Sequence, residues 1–275
     1  MQIKFKSFSS GSCGNCYFLG IWNEETSRTE AGVLIDAGVS LRRVKMEMER
    51  EGFNIDDFST ILISHDHWDH IRSIGSYCKK LHRPILTSQV LSSALVRRPG
   101  TGAYLKGVVH TLPEGWCEIV PGRISARYFK VPHDATETIG FAIMADGHRY
   151  VHITDCGRMT KEAIDWCRQA DTVVIESNYD PEMLATGPYP PELQERIRGG
   201  CGHMSNGECA AAVCNFAHEG LKQIFLCHLS EHNNTPELAM RAVSEALEAT
   251  YGREAATAPR LIALPRQTAS PLFTL

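Results

Sequence analysis

Residues 61–70 read Ile-Leu-Ile-Ser-His65-Asp66-His67-Trp68-Asp69-His70. An apolar run that ends in three histidines and two aspartates within six positions leaves few folds open. Ile61–Ile63 reads as a buried strand, so the residues just past it emerge at a sheet edge, held in place and accessible. Period-two alternation sends His65 and His67 to one side of the chain. Asp69 and His70 fall where the next helix should begin. Asp66 alone reads as an ordinary loop or cap residue. The H-x-H-x-D-H cluster as a whole has the spacing to serve two cations, since imidazoles seldom crowd together without a ligand.

The chain has 275 residues, 43% of them hydrophobic, which is enough for a substantial core. Its formal net charge of −4 excludes a general polyanion binder and leaves nucleic-acid contact to local basic spots. Met1–Lys6 alternates like a strand and lacks the apolar core of a signal peptide. No run of about 18 apolar residues reads as a membrane span. Ten scattered cysteines in such a chain fit free thiols in a reducing cytoplasm, the expected location. Cys13-Gly-Asn-Cys16 has C-x-x-C spacing but no second pair to complete a zinc ribbon, so a tight Gly-Asn turn between two strands is expected.

Strand patterns fall near 2–8, 17–21, 33–36, 60–64, 84–87, 117–120, 124–131, 138–145, 149–154, 172–177 and 223–228. Helical patterns fit 40–51, 70–81, 160–170, 205–219 and 236–250. No low-complexity linker or repeat divides the chain, and Gly187-Pro-Tyr-Pro-Pro191 opens a loop. A single α+β domain over residues 1–275, with mixed sheets covered by helices, is expected.

Other ligand-type residues also follow apolar runs. His133 follows Phe129–Pro132, Asp155 follows Val151–Thr154, Glu176 closes Thr172–Ile175 and His228 follows Ile224–Cys227. Strands ending at one edge would gather these side chains. Two metals need about seven ligating side chains, one of them a bridging carboxylate. His65, His67 and His133 would hold the first cation; Asp69, His70 and His228 the second; Asp155 would bridge them. A shared hydroxide would be the nucleophile. His82, His110, His148 and His218 sit in loop or helix-end contexts, and alternation turns His152 to the opposite face from Asp155.

This constellation resembles the metallo-β-lactamase superfamily, which implies a four-layer αββα sandwich with a two-metal site at the sheet edges. Phe8–Cys16, Asp36–Ser40, Val131–Ala135, Ile175–Asp180, Gly202–Asn206 and Cys227–Asn234 together resemble the YycJ-type branch. That branch implies a bacterial cytoplasmic phosphodiesterase, a DNA exonuclease acting from the 5′ end. The chain departs from it at Trp68, where a small residue is commoner, and at Met204, commonly leucine.

Similarity to the tRNA 3′-processing ribonucleases implies a further pair: Glu176 would orient His203, and His203 would face the scissile phosphate. An oriented imidazolium stabilises developing charge or protonates the leaving oxygen. Asp69 would also hold the hydroxide proton, giving Asp69, His203 and Glu176 as catalytic candidates. For substrate contact the candidates are Arg196 and Arg198, which lead into Gly202-His203, with Asn178 and Asn234. Asp180, His232 and Asn233 are solvated-loop residues or further contacts. Arg42-Arg43, Lys79-Lys80 and Arg97-Arg98 read as surface spots. Only 47 residues (156–202) separate Asp155 and His203, too few for the inserted clamp domain of the β-CASP nucleases.

The expected substrate is single-stranded or 5′-ended DNA or RNA, with no membrane partner. Two divalent cations are implied, Zn²⁺ foremost and Mn²⁺ or Fe²⁺ also compatible. The competing readings are a small-molecule hydrolase acting on a thioester, lactone or cyclic phosphodiester, and a metal-binding regulatory protein. The complete ligand set argues against the last.

Overall fold

The computed structural model describes residues 1–252 and 259–275. Fourteen strands among them form two sheets. The first contains β1 (Gln2–Gly11), β2 (Gly14–Asn23), β3 (Arg28–Ile35), β4 (Thr60–Leu62), β5 (Ile85–Thr87) and β6 (Val109–Thr111) in sequential order. The second contains β7 (Cys117–Val120), β8 (Ile124–Val131), β9 (Thr138–Ala145), β10 (His148–Ile153), β11 (Thr172–Glu176), β12 (Gln223–Cys227) and β13 (Arg260–Ala263), again in order. The short β14 (Phe273–Thr274) returns to pair with β1.

Strict period-two burial builds the layers. Tyr17, Leu19, Val33, Tyr150, Val174 and Phe225 face a core shared by the two sheets. Their neighbours Phe18 and Leu34 face outward, against the helices Leu41–Arg50, Ile74–Leu81 and Gln89–Arg97. Val173, Ile175, Ile224 and Leu226 pack against Lys161–Cys167, Asn206–Phe216 and Pro236–Tyr251. The result is helix, sheet, sheet, helix, as the resemblance implied.

Side-chain oxygens of Ser40, Ser88, Thr160, Ser205 and Thr235 cap these helices, with a full capping box at Ser205–Glu208. The 70–81 pattern is two helices, Trp68–Ile71 and Ile74–Leu81. The break falls where the Ser73 amide leaves the helix to bond Ala37 O at 3.0 Å. The turn between β1 and β2 is Ser12-Cys13 rather than Gly14-Asn15. Cys16 lies buried within β2 while Cys13 is exposed, so the C-x-x-C pair is not presented to one ligand. Helices at Pro181–Thr186 and Pro191–Arg198, not expected from the sequence, flank the proline-rich loop.

Each sheet is antiparallel on one side and parallel on the other. The strands β3, β4, β8, β10, β11 and β12 therefore release their C-terminal residues along one cleft, as open parallel sheets do.

One close approach seats the loops that carry Asn15, Gly38 and His70. The Gly38 amide donates to Asn15 O at 2.9 Å and the Ala37 amide to His70 O at 2.8 Å. A Cβ at Gly38 would lie 1.6 Å from Asp69 O and 2.6 Å from Asn15 N. Gly38→Ala should therefore lower unfolding free energy by about 2 kcal/mol or more, read by urea denaturation, and should loosen the segment carrying Asp69 and His70.

Candidate metal centre

The expected ligands converge. His65, His67, His133 and Asp155 offer one atom each within 4.8 Å of one another, and so do Asp69, His70, Asp155 and His228. Asp155 belongs to both groups. Its Oδ2 lies 3.8 Å from His65 Nε2, 3.6 Å from His133 Nε2 and 3.5 Å from His228 Nε2, and its Oδ1 lies 3.2 Å from His70 Nε2. Asp69 Oδ2 lies 3.5 Å from both His70 Nε2 and His228 Nε2. None of the ten cysteines joins either group among the described residues.

The backbone turns two of these side chains into the cleft and sets a third carboxylate, Asp36, behind them. Asp36, Asp155 and His228 follow strand ends and have φ of 63°, 43° and 54°. Alternation alone would send each to the helix-covered face. A left-handed backbone costs a non-glycine residue roughly 1–2 kcal/mol, and the surrounding contacts hold it.

Each of the five ligand-type imidazoles uses one ring nitrogen on a fixed partner and turns the other inward. His70 Nδ1 donates to Asp36 Oδ2 at 2.7 Å. His133 Nδ1 donates to Gly202 O at 2.7 Å, and His67 Nε2 to Asp134 O at 3.2 Å. His65 Nδ1 meets Ser64 Oγ at 3.0 Å, and that hydroxyl donates to Asp36 at 2.9 Å. His228 Nδ1 lies 3.2 Å from Glu176 Oε1. Asp36 thus stands behind one histidine of each group. Asn15 Nδ2 donates to Asp69 Oδ2 at 3.1 Å. Asp66 accepts from the Thr136 hydroxyl at 2.6 Å, stitching the His65–His70 loop to the His133 loop.

The inward His65 Nε2 is fully buried and has no hydrogen-bond partner among the described residues. An orphaned nitrogen among four other inward ligand atoms is what a cation site requires, since such an atom is otherwise costly. The donor set of imidazoles and carboxylates therefore fits divalent metal ions.

Charge explains the titration of the set. Burial drives the His65 imidazole well below its usual range, and the neighbouring His70 adds to that. Burial opposes protonation of His228 too, but Asp155, Asp69 and Glu176 outweigh it and push this group up to about 10. His70 is likewise raised, because Asp155, Asp36 and Asp69 overcome its burial. Burial raises the Asp155 carboxyl, yet His228 and His70 hold it well below the carboxylate range.

A second arrangement adjoins the centre. Glu176, wholly buried at the end of β11, accepts His203 Nδ1–H at 2.7 Å on Oε1. Its Oε2 accepts the amides of Cys156 at 3.0 Å and Met204 at 3.1 Å. Burial favours the neutral acid, but His203 dominates and Glu176 falls to about 2. Burial lowers His203 and Glu176 raises it further, so its net shift is upward. Asp155, Glu176, His203 and His228 also lie within 4.8 Å. Because Oε2 is committed to two amides, this group is built as an orienting device rather than a third ligand cage.

His203 and Asp155 face a cavity of about 310 Å³ whose walls include Asn178, Tyr189, Leu193 and Arg196. Arg196 reaches it paired to Asp134 through Nε. Arg198 pairs with Glu195 at 3.0 Å and lies outside the cavity lining. Asn178 donates to His228 O at 2.7 Å, so it braces a ligand while touching the cavity. Asn234 is turned away: its amide donates to Ser177 O, Asn178 O and Asn206 Oδ1 at 2.9, 3.0 and 2.8 Å. Asp180 caps the helix Pro181–Thr186, and His232 packs edge-on to Tyr189. His152 stays in the inter-sheet core beside Tyr17 and Tyr150, on the face alternation assigns.

Asp36, Asn15 and Asp134 fall in the segments that carry the resemblance, but the sequence assigns no role to them or to Ser64. Asp36 carries the same signal as His65 and Asp155, a ligand-type residue ending an apolar run. Asn15 and Asp134 reach Asp69 and His67 across more than fifty residues, and Ser64 links its neighbour His65 to the distant Asp36.

Residues 32–228 match the family described as the Beta-lactamase superfamily domain, and the chain belongs to that superfamily. It is 32% identical over 254 residues to the exodeoxyribonuclease YycJ of Bacillus anthracis, covering 90% of each chain. It is 31% identical to the exodeoxyribonuclease WalJ of Streptococcus pneumoniae, covering 91% of this chain and 90% of that one. The fold also matches the metallo-β-lactamase fold protein YhfI of Bacillus subtilis with a TM-score of 0.68, at 13% identity over the full length of both. No helix among the described residues is long and apolar enough to cross a membrane.

Two outcomes follow for metal binding. Asp36→Asn should weaken cation affinity roughly 10–100-fold, measured by competition with a chromogenic chelator. The carboxylates around His70 and His228 raise both imidazoles, so protons compete with a cation there. Calorimetry in buffers of different ionisation enthalpy should therefore show proton release on loading, and affinity should fall as pH is lowered.

Proposed function

We propose that this chain is a metal-dependent phosphodiesterase that degrades DNA from an end. The observation that carries this reading is the Glu176–His203 pair, 2.7 Å apart and beside the ligand groups. The activity named for the two bacterial relatives agrees with it. His65, His67 and His133 would hold one cation and Asp69, His70 and His228 the other, with Asp155 shared. Zn²⁺ suits this imidazole-rich set best, with Mn²⁺ and Fe²⁺ as alternatives. Bound there, such cations supply Lewis acidity to the phosphate oxygens and acidify water towards neutrality.

The protein's own groups do the rest. Asp69, whose carboxyl stays ionised because His70 and His228 outweigh its burial, accepts a hydrogen bond from the attacking water and orients it. His203, kept charged by Glu176, presents Nε2 to the cavity and protonates the departing sugar oxygen. Arg196 at the rim meets a phosphate of the bound strand.

A small-molecule reading retains one support: the cavity is small for a ligand site, about 310 Å³. A substrate panel separates the two. Metal-loaded protein should release nucleotides from 5′-phosphorylated single-stranded DNA and hydrolyse bis-p-nitrophenyl phosphate. Fast thioester cleavage without nucleotide release would contradict the nuclease reading. His203→Ala should cut phosphodiester turnover about 100-fold or more with metal content intact. Glu176→Ala should do the same and also lose metal, because Glu176 braces His228.

A further inference from the structure

We infer that Trp68 is a stacking platform for a nucleobase of a single-stranded nucleic acid whose scissile phosphate lies at the metal centre. The inference rests on the phosphodiesterase reading and deepens it. A solitary exposed apolar side chain is ordinary. Three features set this one apart.

The first is position. Trp68 opens the helix Trp68–Ile71, between His67 and Asp69, both of which line the cavity. Its ring is 56% exposed, the most of any large apolar side chain among the described residues. An indole is thus kept in water one residue from ligands of both cation groups.

The second is rigidity. The Arg72 amide donates to Trp68 O at 2.8 Å, fixing the backbone. Arg98 lies over the ring with its guanidinium carbon 5.8 Å from the centroid, while its Nη1 donates to Asp66 O at 3.0 Å. Asp66 is itself held by Thr136. One face of the indole is backed by a cation anchored to the His65–His70 loop, and the residue stays 56% exposed.

The third is charge. Arg97 ends the helix Gln89–Arg97 and is exposed, and neither it nor Arg98 pairs with a carboxylate among the described residues. In a chain of net charge −4, Arg98 is an uncompensated cation set against an exposed indole, and Arg97 is its neighbour in sequence. An aromatic face for a base and cations for the flanking phosphates is the combination that binds single strands without sequence preference. It also gives a polymer a grip outside a cavity too small to hold more than its end.

The test compares wild type, Trp68→Ala and Trp68→Phe as metal-loaded proteins. One arm reads kcat and KM on 5′-phosphorylated single-stranded DNA and on bis-p-nitrophenyl phosphate. A second reads anisotropy of a fluorescent single-stranded phosphorothioate oligonucleotide. Trp68→Ala should raise the oligonucleotide KM and Kd about tenfold, with little change in kcat. The ratio of kcat/KM for oligonucleotide over the small diester should fall by a similar factor, and Trp68→Phe should restore most of it. Wild-type values for Trp68→Ala in both arms would overturn the platform while leaving the phosphodiesterase reading in place. Wild-type protein that hydrolyses neither phosphodiester would overturn that reading, and the platform with it.

Discussion

A buried imidazole can serve as a ligand only if its other nitrogen is satisfied, and most of this fold serves that condition. Asp36 is held by the Ser64 amide and hydroxyl and in turn fixes His70, while the same hydroxyl meets His65. Gly202 offers its carbonyl to His133 because the 199–204 loop is folded against the helix ending at Arg198. Glu176 sits behind His228 and His203 together. Asp36 and Ser64 follow strands of the first sheet and Glu176 ends a strand of the second, so the centre exists only when the two sheets are packed. Left-handed backbone at Asp36, Asp155 and His228 is the local cost of aiming side chains sideways from strands whose alternation points elsewhere.

The chemistry divides along the same lines. The two cation groups share Asp155 and have no feature specific to phosphorus. In the proposed reaction Glu176 would supply the bias. One of its oxygens faces both a ligand histidine and the cavity histidine, and the other is locked by two amides. Moving His203 therefore disturbs only the cavity side, whereas moving Glu176 disturbs the cation set as well.

Much of this was legible in the chain because ligand-type residues at the ends of apolar runs are rare and local. His65, His67, Asp69 and His70 announce themselves by spacing, and His133, Asp155 and His228 by following strands. The sheet order was less legible: β6, β13 and β14 are strands of two to four residues whose pairing depends on neighbours. Asp36 ends Val33–Ile35 just as His65 ends Ile61–Ile63, but a ligand and its supporting carboxylate look alike in sequence. Asn234 shows the converse, a polar residue near functional ones whose amide is spent on backbone carbonyls. Side-chain direction past a strand end depends on a φ that residue type does not reveal.

The central claim is a pair of cation sites joined by Asp155. Anomalous diffraction from crystals grown with Mn²⁺ tests it directly. The account predicts two peaks about 3.5–4 Å apart, one against His65, His67 and His133, the other against Asp69, His70 and His228, both contacting Asp155. A single peak, or a cation seated between Glu176 and His203, would contradict it.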